Sequence, residues 1–238
     1  MFRRLLVPIL LLAPLALLGA YLGGALQLPP RWDPRAPLDF RDAPNLMTGW
    51  KLARMEWEEG ACAAAFAASG LTLERLPDRP SEVGCPLENT VRLAGQGARL
   101  QPNQPVVTCP LAAAWALFER HGLQPAAERH FGSRVTAVRH LGTYNCRNVY
   151  GRAEGRRSQH ATANAIDIAG FTLANGREIR LPRDWGGEAG AAPGTPGGFL
   201  REARDGACRW FKAVLGPDYN AAHADHFHLD RGRWSRCS

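Results

Sequence analysis

Two short pieces of the chain hold most of the side chains able to bind a metal or move a proton. Ser158 to Ile168 reads S-Q-H-A-T-A-N-A-I-D-I, and His223 to Asp230 reads H-A-D-H-F-H-L-D. Together they carry four of the seven histidines. A catalytic zinc site takes three protein ligands drawn from His, Asp, Glu and Cys and leaves a further position to water. A carboxylate and several histidines in two clusters suit that chemistry.

In Ala165-Ile166-Asp167-Ile168, strand alternation puts the two isoleucines on one face and Asp167 on the other. A carboxylate set between small alanines needs a partner. His160 lies seven residues earlier, an odd offset, so the chain between them must turn for both side chains to aim at one point. In H-F-H-L-D the same alternation places His226, His228 and Asp230 on one face and Phe227 and Leu229 on the other. His121 and His130 fall near the ends of expected helices, where histidine commonly meets the last carbonyls, and His140 falls in an expected strand. These three are read as structural.

The elements that must position the two pieces come in mixed order. Trp50 to Ser69 has helical spacing. Pro110 followed by Leu111 to His121 reads as a helix stopped by Gly122, with a second from Pro125 to Phe131. Arg134 to Tyr144 reads as a strand, and Ala165 to Phe171 with Arg177 to Leu181 as a hairpin around Asn175-Gly176. Phe199 to Leu215 reads as an amphipathic helix and His226 to Asp230 as a short strand. Without a regular βαβ rhythm, the expectation is α+β with a small antiparallel sheet and flanking helices.

Composition is that of a globular chain: 238 residues, 45% hydrophobic and 21% charged, with a net charge of +7. The basic residues are spread along the chain, which favours weak attraction to an anionic envelope polymer over nucleic-acid recognition. Arg3 and Arg4 precede an uncharged apolar run from Leu5 to Leu26, long enough to span a bilayer as a helix. Residues 1–27 are therefore expected to be a signal anchor or a signal peptide, 28–44 a proline-rich linker, and 45–238 the folded domain. Export agrees with six cysteines and no C-x-x-C pair, which favours disulfides over a zinc knuckle. Pairing of neighbours is expected: 62 with 85, 109 with 146, 208 with 237.

The ordered set of motifs resembles a known family. His160-x6-Asp167 followed by a distant His226-x-His228 is similar to the zinc peptidases of the lysostaphin, D-Ala-D-Ala metallopeptidase and hedgehog group, with Ser158 and Ala165 matching their S-x-H-x-x-G-x-A-x-D element. The stretches C-R-N from Cys146, S-Q-H-A-T-A-N-A-I-D-I-A-G-F, G-A-C-R-x-F, L-G-P-D-Y-N and D-H-F-H-L-D resemble the bacterial extensin-like C-terminal domain family, over about Asp42 to Cys237. The resemblance implies a hedgehog/D-Ala-D-Ala peptidase-like fold with His160, Asp167 and His228 binding Zn2+. It also implies that Arg147 holds a substrate carboxylate or a developing oxyanion. Ala163 stands where the peptidase element has glycine. Asp225 and His226 compete as general base, since the D,D-peptidase branch has Glu-x-x-His where this chain has Asp225-x-x-His228. Ser158 would orient His160 or contact substrate, and Asp230 would fix the tautomer of His226.

The implied activity is zinc-dependent hydrolysis of peptide bonds in peptidoglycan stems or cross-links. It would take place on the periplasmic side of a bacterial inner membrane, with the chain either attached through residues 5–26 or secreted to the periplasm. The alternatives are a non-catalytic envelope-binding module with a structural zinc site, and a disulfide-stabilised domain without metal.

Overall fold

The computed structural model describes residues 2–58, 60–186 and 188–238. Its helices are α1 (Phe2–Leu22), α2 (Leu46–Arg54), α3 (Ala61–Ala68), α4 (Cys109–Phe118), α5 (Gln124–Phe131), α6 (Leu181–Asp184) and α7 (Pro196–Ala207). Its strands are β1 (Thr90–Arg92), β2 (Arg99–Gln101), β3 (Val106–Thr108), β4 (Val135–Gly142), β5 (Ala165–Leu173), β6 (Glu178–Arg180), β7 (Ala213–Leu215), β8 (Phe227–Asp230) and β9 (Arg236–Cys237).

The class is α+β, but the main sheet is larger and more mixed than alternation alone implied. Seven strands run in the order β2-β4-β5-β8-β7-β9, with β6 also paired to β5. The β2–β4 and β7–β9 pairs are parallel and the rest antiparallel. A separate antiparallel pair joins β1 to β3. Central β5 has β4 along one side, while β8 pairs with its first half and β6 with its second. The Asn175-Gly176 turn joins β5 to β6 as expected, with Gly176 at φ +83°.

One face of this sheet is buried. Ile166 and Ile168 of β5 and Phe227 and Leu229 of β8 join Trp115, Leu123 and Phe199 of the helical layer in one core. Fully burying each such side chain contributes about 1.5–3 kcal/mol. A one-residue slip of β5 would turn Asp167 into that core, so burial holds the register.

Three helix boundaries differ from expectation. The stretch 50–69 breaks into α2 and α3 at Gly60, which takes φ +82°. Gly122 does not stop a helix: α4 runs through a π-helical turn, Glu119–Leu123, straight into α5. Glu119 in that turn is buried and accepts from the backbone of Gln96 and Ala98 and from the Trp115 indole. The expected helix 199–215 ends at Ala207, and Ala213–Leu215 instead become β7 on the flank of β8.

The disulfides are Cys62–Cys109, Cys85–Cys146 and Cys208–Cys237. Only the last agrees with neighbour pairing. The first follows the packing of α3 on α4, with Cα atoms 6.1 Å apart, and the second draws the 145–148 loop to Cys85.

Residues 28–44 do not stand away from the domain. Leu38 and Phe40 are buried, and the Lys51 ammonium donates to the Pro30 and Pro37 carbonyls. Of the expected anchor 5–26, the side chains up to residue 11 lie outside the described residues, and α1 ends at Leu22. Among the described residues no helix is long and apolar enough to cross a membrane.

Candidate metal centre

The odd spacing of His160 and Asp167 is resolved by a tight turn. Ser158 caps a 3-10 turn, Gln159–Thr162, its Oγ accepting from the His160 amide at 3.3 Å. Ala163 then takes a left-handed conformation, φ +54°, a backbone region that favours glycine. The chain re-enters β5 at Ala165, so His160 on the turn and Asp167 on the strand aim at one point. Asp167 sits directly opposite His228 in the β5–β8 register, and residues opposite each other on an antiparallel pair share a face.

Three atoms converge there. The separations are 3.2 Å from His160 Nε2 to Asp167 Oδ1, 3.1 Å from His160 Nε2 to His228 Nδ1, and 3.0 Å from His228 Nδ1 to Asp167 Oδ1. The outer nitrogens are engaged: His160 Nδ1 donates to the Thr143 carbonyl at 3.2 Å, and His228 Nε2 donates to Asp230 at 2.9 Å. A carbonyl only accepts, so neutral His160 presents a bare lone pair at Nε2. His228, with its proton on Nε2, does the same at Nδ1.

Two imidazole lone pairs and a carboxylate oxygen facing one another require protons or a cation. Zinc bonded tetrahedrally at about 2.0–2.1 Å holds its ligand atoms about 3.3–3.4 Å apart, close to the separations here. The outer-nitrogen bonds to a backbone carbonyl and a carboxylate are those that orient metal-binding histidines. The residues present fit the ion.

Without an ion the cluster shares its protons. Burial works against charging His228, but its hydrogen bonds to Asp167 and Asp230 outweigh that and raise its pKa to about 9. Burial likewise opposes ionisation of Asp167, yet His160 and His228 hold its carboxyl well below the usual range.

His226 stands beside the trio, its Nε2 3.6 Å from Asp167 Oδ1. Its Nδ1 bonds to the exposed Asp225 carboxylate at 2.8 Å. Asp225 thus lies on the solvent side of His226 rather than against the trio. The assignment of Asp230 changes: it holds His228, not His226. His223 is buried beside His226, with ring centroids 5.2 Å apart. Burial and the neighbouring His226 and His228 lower its pKa to about 4.

The trio opens into a cleft of about 700 Å³ whose lining includes Arg147, Arg156 and Arg157 together with Tyr150, Tyr219 and Trp234. Arg147 is placed by its backbone: its carbonyl accepts from Ser158 N, Asn145 N donates to the His160 carbonyl, and Cys146 is tied to Cys85. The Arg147 guanidinium makes only a 3.5 Å bond to the adjacent Asn148 carbonyl. Sequence reasoning missed Thr143, whose part is played by a backbone carbonyl, and Asn220, whose side chain bonds both His223 and Tyr150. Neither carries a residue-type signal.

The family model for the extensin-like protein C-terminus matches residues 60–238. The chain belongs to that family. The matched span contains His160, Asp167, His228, Arg147 and all three disulfides of this extensin-like domain. Comparison with curated proteins and with solved structures finds no match.

Proposed function

We propose that this extensin-like domain is a zinc-dependent hydrolase of peptide bonds in peptidoglycan stems or cross-links, held at the envelope membrane through residues 5–26. The observation that carries the reading is the His226–Asp225 pair set beside three converging ligand atoms at the floor of an open cleft. A structural zinc site is closed by four protein ligands. Among the described residues only His160, Asp167 and His228 form a mutually close set, and His226 does not join it.

Bound zinc would acidify a water and polarise the scissile carbonyl. The chain's own residues supply the rest. Asp225 accepts from His226 Nδ1, which leaves Nε2 as the lone-pair nitrogen facing the site. His226 is therefore the general base that takes the proton from the attacking water and returns it to the leaving amine. Asp225 positions and charge-stabilises that ring. Arg147, near the trio and nearly unpaired, meets a substrate carboxylate or the developing oxyanion. Ser158 holds the His160 backbone and keeps its hydroxyl hydrogen for substrate. Arginines in the cleft lining, Arg147 among them, suit a substrate that carries carboxylates. The disulfides agree with an oxidising compartment such as the periplasm.

The test is metal analysis of the purified chain followed by digestion of purified cell wall. One zinc per chain, muropeptide cleavage abolished by chelation and restored by zinc, is the expected result. An unchanged muropeptide profile with zinc-loaded protein would overturn the substrate assignment.

A further inference from the structure

The N-terminal side of the domain carries an aromatic face with no partner among the described residues. Leu46 is 84% exposed, Trp50 49%, Trp57 61% and Trp32 42%. Leu46 and Trp50 lie one turn apart on α2, and the Trp57 ring meets that of Trp50 edge-on, with centroids 5.9 Å apart. The opposite side of α2 is buried through Lys51 and Leu52. Two of the seven tryptophans, Trp50 and Trp57, thus pair on one exposed surface, and a third, Trp32, is exposed on the neighbouring segment.

This surface is tied closely to α1. Leu12, Leu15, Leu17, Leu18 and Leu22 of that helix are each more than half exposed. At its end the Tyr21 hydroxyl bonds Asp33, and the Arg35 guanidinium lies 3.9 Å above the Tyr21 ring. The same segment is held to α2 from the other side. Lys51 donates to Pro30, Asn45 to the Arg31 carbonyl at 3.1 Å, and Arg54 to the Pro34 carbonyl. Residues 29–37 therefore act as a clasp between α1 and α2, not as a spacer. Any bilayer that takes the leucines of α1 must come close to the α2 face.

We propose that the face formed by Leu46, Trp50 and Trp57 lies in the headgroup layer of an anionic phospholipid bilayer. Tryptophan suits that layer, since its ring is apolar and its indole N–H needs a polar partner. Exposed Arg31 borders the clasp and matches a lipid phosphate. The proposal rests on membrane attachment through residues 5–26 and adds that the domain lies down on the bilayer.

The full chain would be reconstituted in vesicles of phosphatidylethanolamine and phosphatidylglycerol, plain or brominated near the top of the acyl chains. The emission of Trp50 and Trp57 is the difference between the wild type and the Trp50→Phe/Trp57→Phe variant. It should fall roughly twofold in brominated lipid, as expected for rings at the interface. Leu46→Glu, at a position too exposed to affect folding, should weaken that quenching. A chain that floats with the vesicles while this emission is equal in both lipids overturns the proposal and assigns the face to a protein or glycan. A chain that does not float at all overturns the attachment reading itself.

Discussion

Asp167 and His228 stand opposite each other on β5 and β8, and their facing atoms are 3.0 Å apart. The sheet register makes this contact, and the core beneath it holds the register, because Ile166, Ile168, Phe227 and Leu229 occupy the other face. His160 arrives from outside the sheet, on a turn that Ser158 caps. The His160–Asp167–His228 cluster is therefore two parts backbone pairing and one part loop.

Asp230 orients His228 without reaching the ligand point. Asp230→Asn should weaken zinc binding about 10- to 100-fold, the usual cost of losing such a partner. Asp167→Ala should abolish stoichiometric zinc altogether. Competition with a chromophoric chelator measures both, and equal affinities for wild type and Asp230→Asn would refute the orienting role.

Under the proposed mechanism, variants of the His226–Asp225 pair separate metal binding from proton transfer. His226→Ala should keep one zinc per chain and lose about 10²–10⁴-fold in hydrolysis, the range for a general base. Asp225→Asn should lose less, because Nε2 remains in place. Metal content and muropeptide release measured on the same preparations check this. A His226→Ala protein that cleaves normally would remove the histidine from the mechanism.

If zinc binds as proposed, it displaces a proton from His228. Its pKa is raised to about 9 in the metal-free fold, against about 6.5 for an ordinary histidine. The stabilisation from its proton is complete below pH 6.5 and is lost as pH rises through about 9. The metal-stripped protein should therefore lose Tm from pH 6.5 to 9, while the zinc-loaded form does not. Near pH 7, calorimetry in two buffers of different ionisation enthalpy should show about one proton released per zinc bound. Binding without proton release would contradict the shared-proton state.

Cys85–Cys146 ties down the loop that carries Arg147 and closes a separation of 61 residues. Replacing both cysteines by serine should cost about 4 kcal/mol by chain entropy. It should also raise KM more than it lowers zinc affinity, because Arg147 moves while the sheet ligands do not. Denaturant midpoints and kinetics report the two effects separately.

Much of the site was readable from local pattern. Alternation alone put Ile166 and Ile168 opposite Asp167, and Phe227 and Leu229 opposite His228, because side chains alternate along any strand. The odd offset demanded the turn before β5. Where expectation failed, the deciding contact was distant in sequence. Ala213–Leu215 read as the end of a helix until β8 offered an edge to pair with. Gly122 looked like a stop, but it packs against Gly206 of α7, where a side chain would crowd the two helices.

The sequence by itself determined which residue types were available, the face on which each strand carried them, and, through the ordered motifs, the family. Only the tertiary structure decided that Cys62 pairs with Cys109 and Cys85 with Cys146, that Asp230 serves His228, and that Asp225 backs His226. Alternation and turn chemistry act over a few residues, whereas partners far apart in the chain meet only when the core has folded.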